Sequence, residues 1–167
     1  RRSGLNFNPK KTQVLLCTRK KGLKNQVNLQ MDGTPIQLCD RVNYLGLIIS
    51  ENLSWKYNHI EKVNRAKKAL AALNGLISSI WGISPSKMRW VAVSIIRPII
   101  LYGSIVRACT LPNYMISDLE KLQRLCALTI GGGTKTAPTA GLEVILDLVP
   151  LHLKAKELAI RARIRSK

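Results

Sequence analysis

The sequence is poor in aromatics, poor in acids, and has no paired cysteine spacing. Phe, Trp and Tyr make up 5% of 167 residues, so a core must be aliphatic, built from Leu, Ile, Val and Ala. Hydrophobic residues at 46% suffice for one and argue against a disordered tail. Cys17, Cys39, Cys109, Cys126 and the histidines His59 and His152 show no Cys-x-x-Cys pattern, which speaks against a zinc site. An even cysteine count in a chain of this length is weak ground for disulfides, and reduced, mostly buried thiols fit an intracellular protein. Long apolar runs are missing too. The longest, Trp90–Val106, is broken at its centre by Arg97-Pro98, which suits a buried helix pair better than a membrane span. No signal-peptide pattern is visible, and a chain that opens on Arg1 reads as part of a longer polypeptide.

Acids are the scarcest chemistry. The nine are Asp32, Asp40, Glu51, Glu61, Asp118, Glu120, Glu143, Asp147 and Glu157, with no Asp-Asp pair among them. Against them stand 27 Lys and Arg, for a net charge of +18 and a pI near 10.3. Such a surplus favours a polyanionic partner, because cations at phosphates release condensed counterions. Composition alone leaves a ribosomal-type or membrane-surface protein open.

Residues 1–50 read as mostly β. Gly4–Pro9 is loop-like, Gln13–Thr18 a strand, and Arg19–Lys24 a basic turn. Val27–Met31 and Thr34–Leu38 flank Asp32-Gly33, among the best two-residue hairpin signals, and Pro35 suits an edge strand. Val42–Ile49 forms an apolar, β-branched run with Gly46 inside it, a place where Gly costs stability unless something must come close. The chain turns at Ser50-Glu51-Asn52, and Asn58 with Glu61 three residues on suggests a capping box. From His59 the period changes to about 3.6 residues. Val63, Ala66, Leu70, Leu73, Ile77 and Ile80 form one stripe, with Arg65 and Lys68 opposite it and Lys62 and Lys67 on its flanks. Gly82 ends that helix. Ser84-Pro85 starts another that Pro98 should kink or break, and Ile99–Cys109 continues at a new angle. A helix over about Ile116–Ile130 stops at Gly131–Gly133, which lacks the Lys-Ser/Thr ending of a phosphate loop. Pro138 opens a short helix to Asp147, and Pro150 precedes a basic helix, Leu151–Lys167. Trp55, Trp81 and Trp90 read as packing anchors, and His59 as structural.

The stretch Tyr44-Leu45-Gly46, Leu53-Ser54-Trp55, His59-Ile60 resembles the YLG…LSW…HI signature of reverse transcriptases from non-LTR (LINE-type) retrotransposons, jockey-like and I-like elements above all. The resemblance runs on through Leu5–Thr12, Trp81–Trp90, Arg97–Gly103, Thr136–Leu151 and the basic helix, in the family's order. Two positions depart from it. Arg107 stands where the family has Trp, and Gly141 precedes Leu142-Glu143 where it has Ala; both loosen packing.

The resemblance implies an α+β, predominantly α fold. Residues 1–52 would be the end of a polymerase palm, 53–110 a helical thumb, and 111–167 a helical connector with a basic C-terminal helix. It implies part of an RNA-directed DNA polymerase that holds an RNA template and DNA primer during target-primed synthesis, with no membrane partner and, in the parent, dNTP and a nuclear location. Two Mg²⁺ ions would be bound by aspartates upstream of Arg1, so this chain alone should polymerise nothing. Lys11 would assist at the triphosphate, or be a solvated Lys at a strand start. Tyr44, Leu45 and Gly46 would form a primer grip, with Gly46 either allowing close approach or tolerated at a bulge. Lys62, Arg65 and Lys68 would track the duplex backbone, or form an ordinary solvated helix face. The rival readings are a non-enzymatic basic nucleic-acid-binding fragment or domesticated remnant, and a helical protein-interaction module.

Overall fold

The computed structural model describes residues 8–18, 20, 27–75, 83–107 and 111–166. Its contacts separate into two units, Arg1–Asn58 and His59–Lys167. The described part is mostly helical, with two small antiparallel hairpins.

Two left-handed dipeptides shape the first unit. Asp32 and Gly33 have φ of 49° and 75° and join β1 (Leu29–Met31) to β2 (Thr34–Ile36), as the Asp-Gly signal predicts. Leu45 and Gly46 have φ of 48° and 74° and do the same for β3 (Arg41–Tyr44) and β4 (Leu47–Ser50). Positive φ at both loop residues marks the mirror-image turn whose twist matches its strands. The run over Val42–Ile49 is thus a second hairpin and not one strand, and Gly46 sits in its turn. The strand expected over Gln13–Thr18 reduces to a parallel bridge between Val14 and Leu38, with the Cys39 amide donating to the Val14 carbonyl at 2.8 Å. A strand persists only where a partner ladder continues. Ahead of it, Pro9–Lys11 make one 3₁₀ turn, capped by Asn8 Oδ1 accepting from the Lys10 amide at 3.0 Å.

Helix α1 (Lys56–Asn74) opens in the first unit and continues in the second. It starts two residues before the expected cap. Ser54 Oγ accepts from the Lys56 amide at 3.3 Å, while Asn58 Oδ1 accepts from the Ile48 amide at 3.3 Å. Asn58 therefore ties helix to hairpin and does not cap.

In the second unit Val63, Ala66, Leu70 and Leu73 are buried, as their spacing predicts. Ile77, Ile80, Trp81 and Gly82 lie outside the described residues, as do Gly4–Phe7 and most of the turn expected over Arg19–Lys24. α2 (Pro85–Leu101) contributes Met88, Ala92, Ile96 and Ile100, and α4 (Asn113–Gly131) adds Leu119, Leu122, Cys126, Ala127 and Ile130. Each Leu, Ile or Met side chain among them stabilises by about 1.5–3 kcal/mol on burial, and the alanines by less. Pro98 neither ends nor interrupts α2, and the Tyr102 amide donates to the Pro98 carbonyl at 3.0 Å. The break falls instead at Tyr102-Gly103, where Gly103 has φ 75°, before α3 (Ser104–Arg107). The side chain of Arg107 lies outside the described part. α4 stops at Gly132, left-handed at φ 61°. Pro138 and Pro150 precede α5 (Thr139–Ile145) and α6 (Leu151–Arg165), as expected. A Cβ at Gly141 would meet Pro138 Cγ at 3.5 Å, an ordinary contact, so the family's Ala would fit here.

Candidate nucleic-acid interface

The sequence-named residues divide between the two units. Lys11, Tyr44, Leu45 and Gly46 belong to the first; Lys62, Arg65 and Lys68 to the second.

In the first unit, the β3–β4 hairpin is anchored at its base and solvent-exposed at its tip. Ser50 is buried, and its hydroxyl both donates to the Ser54 carbonyl at 3.0 Å and accepts from the Ser54 amide at 3.1 Å. The Glu51 amide donates to the Asp40 carbonyl at 3.1 Å, the Leu53 amide to the Ser50 carbonyl at 2.8 Å, and Arg41 lies 4.1 Å over the Tyr57 ring. At the other end Tyr44 is exposed and Leu45 is 72% exposed. Leu45 is the unusual choice. A left-handed φ costs an L-residue roughly 1–2 kcal/mol, which Asn, Asp or Gly largely avoid. The first hairpin uses Asp32 at the equivalent place. Leu53, also exposed, is left-handed too, at φ 52°. Sequence reasoning missed this strain because Leu is no turn residue; the Gly midway between two apolar runs was the available signal. Lys11 ends the 3₁₀ turn and is exposed.

In the second unit, α1 presents Arg65, Lys67 and Lys68 to solvent. Arg65 Nη1 lies 3.6 Å from Glu61 Oε1, an exposed pair of small energetic worth. Lys67 and Lys68 have no ion pair among the described residues. Lys62 departs from its expected flank position. It is 3% exposed, its ammonium 3.6 Å from Glu61 Oε2 and 5.0 Å from the centre of the Tyr102 ring. A cation over an aromatic face is stabilised there, so in this conformation Lys62 faces protein and not solvent. The stripe is wider than spacing suggested because Tyr102 covers that flank. His59 is buried with Nε2 3.3 Å from Asp118 Oδ2 and Tyr114 edge-on to its ring. Trp90, expected as a packing anchor, is 70% exposed; Trp55 is half-buried.

A cavity of about 400 Å³ lies between α4, α5 and the start of α6, with Glu120, Glu143, Lys121 and His152 on its walls. Arg124 closes one side, donating to the carbonyls of Lys135 and Ala137 at 2.5 and 2.9 Å and to Thr139 Oγ1 at 2.7 Å. Among the described residues no three His, Cys, Asp or Glu are grouped to hold a metal ion. No described helix is long and apolar enough to cross a membrane.

No protein-family model matches the chain, and no solved structure matches it significantly. Two curated proteins are similar. One is a putative 115 kDa protein in the type-1 retrotransposable element R1DM of Drosophila melanogaster, 26% identical over 156 residues. The other is a retrovirus-related Pol polyprotein from the type-1 retrotransposable element R1 3 of Nasonia vitripennis, 22% identical over 153 residues. The matches cover 93% and 83% of this chain but only 15% and 40% of those proteins. Similarity over most of the chain to two retrotransposon proteins supports a retrotransposon origin, of the non-LTR kind that its motifs resemble.

Proposed function

We propose that this chain is the C-terminal part of a non-LTR retrotransposon reverse transcriptase, with the palm's end over 1–52, the thumb over 53–110 and a connector over 111–167. Its share of the work is to hold the RNA template–DNA primer duplex, while Mg²⁺ and dNTP are handled by residues outside it. The parent acts in the nucleus. The β3–β4 hairpin is the grip on the primer end, and Arg65 and Lys68 meet phosphates without reading sequence.

One observation carries this reading. Leu45 is held left-handed and 72% exposed at a turn position that Asn would fill at lower cost. Backbone strain of this kind, kept on a well-anchored hairpin, points to a use for the side chain at that place. The net charge of +18 and the similarity to a Pol polyprotein agree with a polyanionic partner.

The test is Leu45→Asn. It relieves the turn, so the variant should melt at or above the parent temperature, while affinity for an RNA–DNA hybrid falls. A variant that is more stable and binds the hybrid unchanged refutes the grip assignment.

A further inference from the structure

Helix α6 has two apolar faces, and among the described residues only one of them is buried. Leu151, Ala155 and Ala159, at four-residue steps, are buried. Opposite them Leu153, Ile160 and Ile164 are 48, 59 and 69% exposed. With Glu157 they follow each other at steps of four, three and four residues, which places them on one row along the helix. The row spans about 16 Å, roughly three turns. Glu157 does not break its character, since Lys154 and Arg161 neutralise it at 2.8 and 2.6 Å. Lys156 and Arg163 run along one flank, exposed and without an ion pair among the described residues.

We propose that this outer face docks an amphipathic helix whose own apolar row is flanked by Asp or Glu. Charge selects the occupant. α6 carries five cations against one acid, so a second copy would set like charges against each other along the whole contact. Phosphates alone would satisfy the cations but leave the branched aliphatics in water. An acidic amphipathic helix covers both, by the helix-in-groove mode of recognition. None of its residues is among those assigned to the duplex, so either assignment can fail without the other.

The probe is a synthetic helix of about 20 residues, enough for about 30 Å, with Leu along one row and Glu on both flanks. Its binding to the full chain is read by fluorescence anisotropy. A scrambled peptide of equal composition, an RNA hairpin and phosphatidylserine vesicles serve as comparisons. Ile160→Asp with Ile164→Asp should weaken binding of the Glu-flanked helix by about tenfold or more. Lys156→Glu with Arg163→Glu should weaken it as well, and should improve binding of a Lys-flanked version of the peptide. Both pairs are exposed, so melting should stay at the parent value; Ile160→Ser with Ile164→Ser replaces the first pair if it does not. Equal binding of the scrambled peptide, or indifference to the Ile substitutions, overturns the proposal. So does a loss on those substitutions that appears only with vesicles or only with RNA.

Discussion

Gly46 offers a way to separate a turn residue from a contact residue. It sits at φ 74° as the second loop residue of the β3–β4 turn. Gly46→Ala places a Cβ in a left-handed conformation, at a cost of roughly 1–2 kcal/mol. For a chain of this size each kcal/mol lowers Tm by about 2–4 °C, so a drop of about 2–8 °C is expected. Gly46→Asn adds a larger side chain but tolerates the same φ at lower cost, and should melt closer to the parent. Binding should follow the opposite order. If the backbone at 46 lies against the primer, any Cβ stands in the way and the bulkier one more so. Asn should then hurt hybrid affinity at least as much as Ala while hurting stability less. In the proposed parent polymerase the same changes would misplace the primer end, and an ångström-scale error there costs about a hundredfold in rate. The measurements are thermal melting, hybrid anisotropy and single-turnover extension on the same two variants. If affinity and extension track melting, with Asn restoring all three, Gly46 serves the turn alone and the grip assignment fails.

Three further outcomes are expected. Replacing Arg65 and Lys68 with Ala should weaken hybrid binding with little sequence dependence and make its salt slope shallower by up to about one unit per lost contact; an unchanged slope returns both to an ordinary solvated face. The isolated chain should incorporate no nucleotide on a primed RNA template with Mg²⁺ or Mn²⁺, and template-dependent extension would contradict the proposed division of labour. Burial pushes the Cys126 thiol up to about 12, so at pH 8 alkylation followed by mass spectrometry should label exposed Cys17 and spare Cys126 until the chain unfolds. Because the unfolded thiol ionises from its ordinary value near 9.0 and the folded one does not, its contribution to stability should fall as pH rises from about 9 towards 12.

The helical unit was legible because its signals are local and repeated. The buried positions on α1 follow 3.6-residue spacing, and Pro85, Gly132, Pro138 and Pro150 punctuate the chain where backbone chemistry requires. The first hairpin was legible for the same reason. What escaped were choices made by partners distant in sequence. Asn58 looks like a cap until the Ile48 amide is set beside it, and Lys62 looks solvent-facing until Tyr102 covers it. Leu45 hid the second hairpin, since nothing in a Leu announces a turn. The candidate site was thus legible as residues but not as geometry.

The basic surplus also has a second use that composition could not reveal. Arg89 donates through Nε to the Leu146 carbonyl at 2.5 Å and through Nη2 to the Asp147 carbonyl and carboxylate at 2.8 and 2.6 Å. Arg97 donates to the Val149 carbonyl at 3.3 Å, joined there by Gln123 at 3.4 Å. Arg124 holds the carbonyls of Lys135 and Ala137. Three guanidiniums from α2 and α4 therefore satisfy backbone acceptors of the connections on either side of α5, where α5 itself buries no residue. Burial and the nearby Arg89 charge lower the Arg97 pKa from its usual value, yet Arg keeps its proton at any working pH. Lys could not replace Arg89 or Arg124, because a single ammonium lacks the forked donors that reach two carbonyls at once. These charges are committed to holding the fold. Among the described residues, lysines and arginines of α1, α6 and the first unit remain exposed, as do Lys87, Lys121 and Lys135, and it is on the first three surfaces that the duplex and the partner helix are sought.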